Sequence, residues 1–307
     1  MAELSTLVAT AAASTSWRST RRIRIWAASV VAVVGVLALQ SVWPQFAWAP
    51  NLASSMGAAA LLGVFFAALV CEYIDSALGM GYGTTLTPLL LLVGFEPLQI
   101  VPAVLLSEFV TGLAAGLLHH RDGNVDFLRD RRSRNTALLL IVLSVVGSLA
   151  AVSVALRVSK FWLTAIIACI VLAVGLMILL TVRRQLRFRP WQIVTLGGIA
   201  AFNKALSGGG YGPLVTGGQV VAGMPSKSAV AITSLAESFT CLVGLSAYLF
   251  MDKELYWPLA IPLTAGALLS VPIATLTVRR MPESFLRGGV GIATCMLALL
   301  MFVKMFY

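Results

Sequence analysis

Long apolar segments, each followed by a short polar stretch, occupy almost the whole chain. A helix that crosses the hydrocarbon layer of a bilayer needs about 20 consecutive apolar residues, and most of these segments approach that length. The pattern therefore predicts an all-α polytopic membrane protein with about ten or eleven spans. The apolar segments are 25–43, 53–73, 77–94, 98–119, 136–156, 161–182, 191–203, 212–224, 228–250, 259–277 and 289–307.

The composition excludes a soluble globular protein. Of the 307 residues, 59% are apolar and only 11% are charged, which leaves too few polar side chains to cover a water-exposed surface. The net charge of +10 does not indicate nucleic-acid binding, because the basic residues lie in clusters between the apolar segments and not among stacking aromatic side chains. We therefore expect the lipid bilayer, and no nucleic acid, as a partner.

The basic clusters predict the topology. A basic tail at 1–24 precedes the first segment, and the loops 119–135, 183–190 and 278–288 hold most of the remaining arginines. If the tail is cytoplasmic, strict alternation of the spans places these three loops on the cytoplasmic side as well, in agreement with the positive-inside rule. We expect a multi-pass protein of the bacterial inner membrane with a cytoplasmic N-terminus.

The first apolar segment, 25–43, has two interpretations. The arginines before it and the Ala47-Trp48-Ala49 sequence after it are typical of a signal peptide. However, the segment is longer than the ~7–15 residues of a signal-peptide core, and Pro50 directly follows the candidate cleavage site. We favour a retained transmembrane helix that is additional to the rest of the fold.

The rest of the chain is a duplication. The sequence SALGMGYG at 76–83 is similar to ALSGGGYG at 205–212, with a constant offset of 129 positions (211 − 82 for the two tyrosines). The offset predicts two repeats, 53–182 and 183–307, of five segments each. Since five is odd, the repeats would cross the membrane in opposite directions, an inverted-repeat architecture found among secondary transporters.

Each repeat contains a glycine-rich tip that joins two segments into a hairpin, the first tip at 79–83 and the second at 208–212. In the second repeat the arms have about 13 residues each, so the tip should stop inside the bilayer. Helices that start at the tips would direct N–H groups towards one another, which predicts an anion site. Alternatively, the glycines only permit close helix packing. The candidate ligands are Gly79, Gly81, Tyr82, Gly83, Asn203, Ser207, Gly208, Gly209, Gly210, Tyr211 and Gly212.

Ionisable residues lie beside both tips. Asp75 and Lys204 occupy equivalent positions but carry opposite charges, and mutual pairing is the simplest way to bury both. Such a pair is either a static salt bridge or functional, and Lys204 could instead bind the anion directly. Glu108 and Glu237 lie in the middle of the third segment of each repeat. We expect these two glutamates and Asp75 to bind coupling protons, or alternatively the glutamates to cap broken backbone or pair with Lys204.

Further motifs follow the tips: Thr87-Pro88-Leu89, Gly212-Pro213-Leu214 and Ala229-Val-Ala-Ile-Thr-Ser-Leu235. At these motifs the chain resembles the TauE/SafE family of anion exporters over about residues 53–307. The resemblance implies export of sulfite, sulfoacetate or a related organosulfur anion, and it adds Thr233 and Ser234 to the candidate ligands. The first repeat departs from the family pattern, with Val101-Pro102-Ala103-Val104 where a Thr-Ser-Leu element is expected.

Together these features predict a proton-linked secondary transporter that exports a small anion by alternating access. A small-anion channel would share the same site and is an alternative. An intramembrane enzyme is a weaker alternative, because the chain has no His-Glu-x-x-His, no Gly-x-Ser-x-Gly and no paired cysteines. We expect no catalytic residue, no cofactor and no metal, and the sequence is compatible with a homo-oligomer.

Overall fold

A computed structural model describes residues 57–181, 190–221, 224–251, 253–277 and 283–306, together with Ala28 and Val31. The tail at 1–24 and the rest of the segment at 25–43 lie outside these ranges. Within them the chain forms helices and no strand, which confirms the all-α prediction. The helices are α1 Ala58–Leu78, α2 Tyr82–Val93, α3 Pro97–Arg121, α4 Arg131–Ala155, α5 Lys160–Thr181, α6 Pro190–Ser207, α7 Tyr211–Val221, α8 Ser226–Phe250, α9 Trp257–Thr277 and α10 Glu283–Phe306.

Six helices of the described chain are long and apolar enough to cross a membrane, namely α1, α3, α4, α5, α8 and α9. They differ in how much protein covers them. In α8, 72% of the apolar stretch is buried, whereas in α4 and α5 only 39% is buried. Apolar side chains such as Val146 and Leu180 are 74% and 68% exposed. Exposed apolar faces of this kind suit contact with lipid, so α8 is central and α4 and α5 are peripheral.

The helix boundaries follow the offset of 129. The short helices α2 and α7 begin at Tyr82 and Tyr211, and α3 and α8 have the same length of 25 residues. Helices α1–α5 fall in the predicted first repeat and α6–α10 in the predicted second one. The division of the chain into two repeats stays a prediction, with which these helix bounds agree.

Packing between the repeats follows a two-fold pattern. Helix α1 packs against α9, and the equivalent helix α6 packs against α4. The pairs α3 with α8 and α5 with α10 join helices that are equivalent to each other. This is the pattern that a pseudo-two-fold axis between the repeats produces. The opposite insertion of the two repeats in a membrane stays a prediction.

The hairpins differ from the expected ones in the length of their first arms. Helix α6 has 18 residues where about 13 were expected, and α1 continues to Leu78 where the apolar segment was expected to end at 73. The arms that follow the tips are short, with 12 residues in α2 and 11 in α7. At a rise of 1.5 Å per residue they reach about 18 Å, less than the ~30 Å hydrocarbon thickness. Each hairpin thus combines one long arm and one short arm.

Helix α3, which carries Glu108, begins with a capping box. The Glu96 carboxylate accepts the backbone N–H of Gln99, and the backbone N–H of Glu96 donates to the Gln99 side chain at 3.0 Å. Pro97 stands at the start of the helix, where no N–H is needed. Lys160 Nζ lies 2.6 Å from Glu96 Oε1, which joins the starts of α3 and α5.

Candidate functional site

Both tips depend on backbone conformations that favour glycine. Gly79 ends α1 with φ of 69°, and Gly81 precedes α2 with φ of 130°. In the second tip, Gly208 and Gly210 have φ of 74° and 79°. An L side chain at these angles would strain the backbone, whereas glycine adopts them readily. The tips therefore turn between their helices in three residues.

The structure brings the two tips into direct backbone contact. A Cβ atom added to Gly83 would overlap the carbonyl oxygen of Gly208, and one added to Gly212 would overlap the carbonyl oxygen of Gly79. The contact is reciprocal, since each short helix starts against the opposite tip. The expected meeting of the tips is thus present, and close packing is one reason for the glycines. Anion binding by their N–H groups stays a prediction.

Hydroxyl and amide groups of the second repeat hold the first tip. The Thr216 hydroxyl donates to the carbonyl oxygen of Gly79 at 3.0 Å. The Thr233 hydroxyl lies 2.9 Å from the Thr216 hydroxyl and 2.9 Å from Nε2 of Gln219. Thr233 therefore helps to fix α7 and the first tip. Its predicted role as a ligand is untested, and so is that of Ser234, which is buried on the same helix.

The second tip is shaped by two residues that precede it. The Ser207 hydroxyl donates to the backbone carbonyl of Asn203 at 2.8 Å and accepts the backbone N–H of Gly209 at 3.2 Å. Both side chains are buried next to the tip, as expected. Their hydrogen bonds stabilise the turn of the second tip, while binding of a solute by these two residues stays a prediction.

Among the lysines and arginines whose side chains the structure describes, Lys204 is the one that is buried, with 1% of its side chain exposed. Its ammonium forms an ion pair with Oε2 of Glu108 on α3 and a second one with Oε1 of Glu237 on α8, at 2.8 Å. The alternative in which the glutamates pair with Lys204 is therefore the arrangement found. Because α3 and α8 pack together, the two carboxylates reach the ammonium from both sides.

The expected direct pair of Asp75 with Lys204 is wrong. Asp75 Oδ1 instead accepts the backbone N–H of Tyr82 at 3.3 Å. This N–H belongs to the first turn of α2 and has no partner within its helix, so the carboxylate satisfies it and meets the positive end of the helix dipole. The two equivalent side chains thus have different partners, although Asp75 lies within electrostatic range of Lys204.

Comparison with known proteins agrees with this architecture. Residues 64–301 match the family model described as "Sulfite exporter TauE/SafE". The chain belongs to the TauE/SafE family. It is 28% identical over 241 residues to the "Probable membrane transporter protein YtnM" of Bacillus subtilis (strain 168), a match that covers 74% of this chain and 77% of the relative. No solved structure matches the chain. This TauE/SafE protein is therefore a membrane transporter and not an enzyme.

Glu72 of this TauE/SafE transporter is a buried carboxyl group, on the helix that precedes the first tip, which the sequence pattern did not single out. It lies one helical turn before Asp75 and is 2% exposed. Its Oε1 accepts the Ser76 hydroxyl at 2.6 Å, whereas its Oε2 is buried without a hydrogen-bond partner in the described structure. The sequence does place Glu72 three residues before Asp75, a spacing that puts both side chains on one face of a helix. However, the predicted apolar segment ended at 73, so Glu72 was expected at the end of the helix and not inside the protein.

Hydroxyl groups line the region between α2, α3 and the second tip. The Tyr82 hydroxyl lies 2.7 Å from the Ser107 hydroxyl. The hydroxyls of Thr84, Thr87 and Thr111 are buried and have no hydrogen-bond partner in the described chain. A Cβ atom at Gly208 would lie 2.8 Å from Oγ1 of Thr87, so this hydroxyl faces the second tip. Of these hydroxyls in the TauE/SafE protein, that of Thr87 lies against the second tip, and that of Thr111 neighbours Glu72.

The helices before the two tips are anchored in equivalent ways. His119 Nε2 lies 3.2 Å from the carbonyl oxygen of Ser76, and the Tyr248 hydroxyl donates to the carbonyl oxygen of Ala205 at 3.1 Å. His119 and Tyr248 are themselves equivalent at the offset of 129. Nδ1 of His119 lies 2.9 Å from the side-chain Nδ2 of Asn124, which can only donate, so Nδ1 accepts. The ring proton is therefore on Nε2, which donates to the carbonyl oxygen of Ser76. Different residue types at the two positions concealed this shared function from sequence comparison.

Proposed function

We propose that this TauE/SafE transporter exports a small anion from the cytoplasm by proton-linked alternating access. The observation that carries the proposal is the buried Lys204 ammonium, held between Glu108 and Glu237 beside the junction of the two tips. A buried cation, in a region of the fold that also holds hydroxyls without partners, is suited to an oxyanion. The topology proposed with it places the basic loops and the N-terminus in the cytoplasm of a bacterial cell.

The two ion pairs of Lys204 suggest how a proton and an anion are linked. An incoming anion that pairs with the ammonium competes with the two carboxylates for it and weakens at least one of the two ion pairs. A displaced carboxylate without a cation is costly in a buried site, and protonation removes that cost. Anion binding and proton binding at Glu108 or Glu237 therefore favour each other. The site changes little in net charge when both bind.

The packing of the repeats supports alternating access. Equivalent helices form equivalent contacts in the two repeats, as in α1 with α9 and α6 with α4. In transporters with related halves, an exchange of such contacts opens the central site to one side and then to the other. The reciprocal contact of the tips would form the centre of this movement. Inversion of the repeats is part of the proposal.

The proposed substrate is sulfite or an organosulfonate such as sulfoacetate. The family description names sulfite export, and the relative from Bacillus subtilis is named as a transporter without a substrate. Sulfite and sulfonates present three oxygens that accept hydrogen bonds. The unpartnered hydroxyls of Thr84 and Thr87 and the ammonium of Lys204 supply donors of the matching kind.

Counterflow in proteoliposomes tests the proposal. Purified protein would be reconstituted with sulfite inside, and entry of labelled sulfite would be measured against vesicles without internal substrate. A transporter is expected to show stimulation by internal substrate, and parallel assays with sulfoacetate, thiosulfate and simple carboxylates rank the anions. Flux without such stimulation would favour the small-anion channel instead. Absence of flux for every anion would contradict the substrate class.

A further inference from the structure

The two repeats agree in their tips but differ in charge around them. At the offset of 129, Glu72 corresponds to Ala201, Asp75 to Lys204, and Ser76 to Ala205. The helix before the first tip therefore carries two carboxylates and a hydroxyl, whereas the helix before the second tip carries one ammonium between two alanines. The backbone contacts of the tips do not require this difference. It indicates that the two sides of the site have separate tasks.

Glu72 has no cation within reach in the described structure. The ionisable groups that face it are Cys71 and Asp75 of its own helix, Tyr82 of α2 and Glu108 of α3. Helix α9, which packs along α1, contains no Asp, Glu, Lys, Arg or His. On α10, Lys304 binds the carbonyl oxygens of Leu91 and Leu92 at the far end of α2.

The buried charges near the tips do not balance. Among the described residues, Glu72, Asp75, Glu108 and Glu237 are four buried carboxyl groups, whereas Lys204 is the one buried ammonium. That ammonium is occupied by Glu108 and Glu237. An ionised Glu72 would lie uncompensated beside Asp75, which is costly in a buried site. A bound proton removes this cost, and Oε2 of Glu72 has no hydrogen-bond partner in the described structure.

We infer that Glu72 is a further proton-binding residue of the transport cycle and acts with Asp75 as the proton-carrying side of the site. This inference rests on the proposed function. The anion occupies the Lys204 side, and a proton moves from the Glu72 carboxyl to a carboxylate that has released Lys204. One O–H bond breaks at Glu72 and one forms at the acceptor, with Ser76 and Thr111 as neighbouring hydroxyls. No other reactant is needed.

The test compares two kinds of transport in the same proteoliposomes. One is sulfite counterflow at equal pH, and the other is sulfite accumulation driven by a pH gradient. In Glu72→Gln, accumulation is expected to fall by about tenfold more than counterflow, because loss of one proton site affects the coupled step most. Glu72→Asp, which keeps a carboxyl group, is expected to recover most of the accumulation. Glu96→Gln, at a half-exposed surface glutamate, serves as the matched control.

The outcomes separate this inference from the proposed function. If the wild-type protein performs counterflow but accumulates nothing with a pH gradient, proton linkage fails, and the inference fails with it. If the wild type is coupled and Glu72→Gln lowers both activities equally or neither, only the inference about Glu72 is overturned. If Glu72 only supported the fold, Glu72→Gln would lower counterflow and accumulation to the same extent.

A second variant covers the case in which Glu72→Gln does not fold. Ser76→Ala removes the hydrogen-bond donor of Glu72 and keeps the carboxyl group. Alanine already occupies the equivalent position 205, so the fold should accept it. The pH at which accumulation is half-maximal is expected to move by about 0.7 unit, because a lost hydrogen bond contributes about 1 kcal/mol and one pKa unit corresponds to about 1.36 kcal/mol. An unmoved pH profile would overturn the inference.

Discussion

Lys204 and Glu237, both of the second repeat, form an ion pair with Nζ and Oε1 at 2.8 Å, and Glu108 of the first repeat binds the same ammonium from the other side. One lysine is therefore shared between two equivalent carboxylates. At the offset of 129, Glu108 corresponds to Glu237, whereas Lys204 corresponds to Asp75. Any movement of one repeat against the other changes the distance from Lys204 to at least one glutamate.

Replacing Lys204 tests its role at the centre of the site. Lys204→Ala should abolish sulfite counterflow, because the anion loses its cation and the two carboxylates repel it. The variant should also lose about 3–5 kcal/mol of stability, the usual cost of removing one partner of a buried ion pair. Wild-type counterflow with wild-type affinity would remove Lys204 from the mechanism.

Two controls separate binding from folding in this experiment. Lys160→Ala removes an exposed lysine that pairs with Glu96, and it should change stability by less than about 1 kcal/mol. Adding Glu237→Gln to Lys204→Ala removes one uncompensated charge, so thermal stability should partly return while counterflow stays lost. Recovery of counterflow in that double variant would contradict the role of Lys204 as a ligand.

The glutamates are expected to set the pH dependence of transport. If an anion binds Lys204 when a carboxylate takes up a proton, the anion affinity of the wild type should fall as pH rises. Glu108→Gln and Glu237→Gln mimic the protonated form, so their affinity should vary by less than about twofold across the same range. Sulfite binding measured at several pH values checks this. A pH profile equal to that of the wild type would exclude the replaced glutamate from coupling.

The contact between the tips leaves no room for a side chain. Gly83→Ala should destabilise the protein by about 1–3 kcal/mol or more, because the added methyl group would overlap the carbonyl oxygen of Gly208. Gly63→Ala is the matched control, since Gly63 lies within α1 with open space around it. There the change should be neutral or stabilising by about 0.5–1 kcal/mol. Thermal unfolding in detergent measures both, and equal midpoints would contradict the described contact.

The Thr216 and Thr233 hydroxyls should act as a unit in holding the first tip. Thr216→Val and Thr233→Val each remove a buried hydrogen-bonding group, with an expected cost of about 1–3 kcal/mol. Because the two hydroxyls bond to each other, the double variant should cost less than the two single effects together, by about 0.5–3 kcal/mol. Strict additivity in unfolding experiments would show that the two threonines do not cooperate.

The duplicated pattern made most of the architecture predictable. Repeated glycines and tyrosines at one offset located both tips, and α2, α3, α7 and α8 follow that offset. The prediction succeeded because a tip that needs positive φ and close backbone approach restricts the sequence to glycine. Family membership was also predictable from the motifs around the tips and is confirmed.

Partner choice among buried charges was not predictable in the same way. The apolar pattern predicts an end of α1 at 73, since Glu72 and Asp75 interrupt it. In the structure both residues are nevertheless buried within the protein. The sequence also cannot show that α3 and α8 bring two glutamates to Lys204 while the first turn of α2 binds Asp75. Such contacts depend on tertiary packing.

The reciprocal contact of the tips constrains substitutions in both halves of the chain. A side chain at Gly83 would collide with the second tip, and one at Gly212 would collide with the first. A substitution in one tip therefore alters the packing of both tips. Asp75 and Lys204 take no part in this backbone contact, and they carry opposite charges. The tips thus constrain each other's backbone, while the helices that lead to them differ in charge.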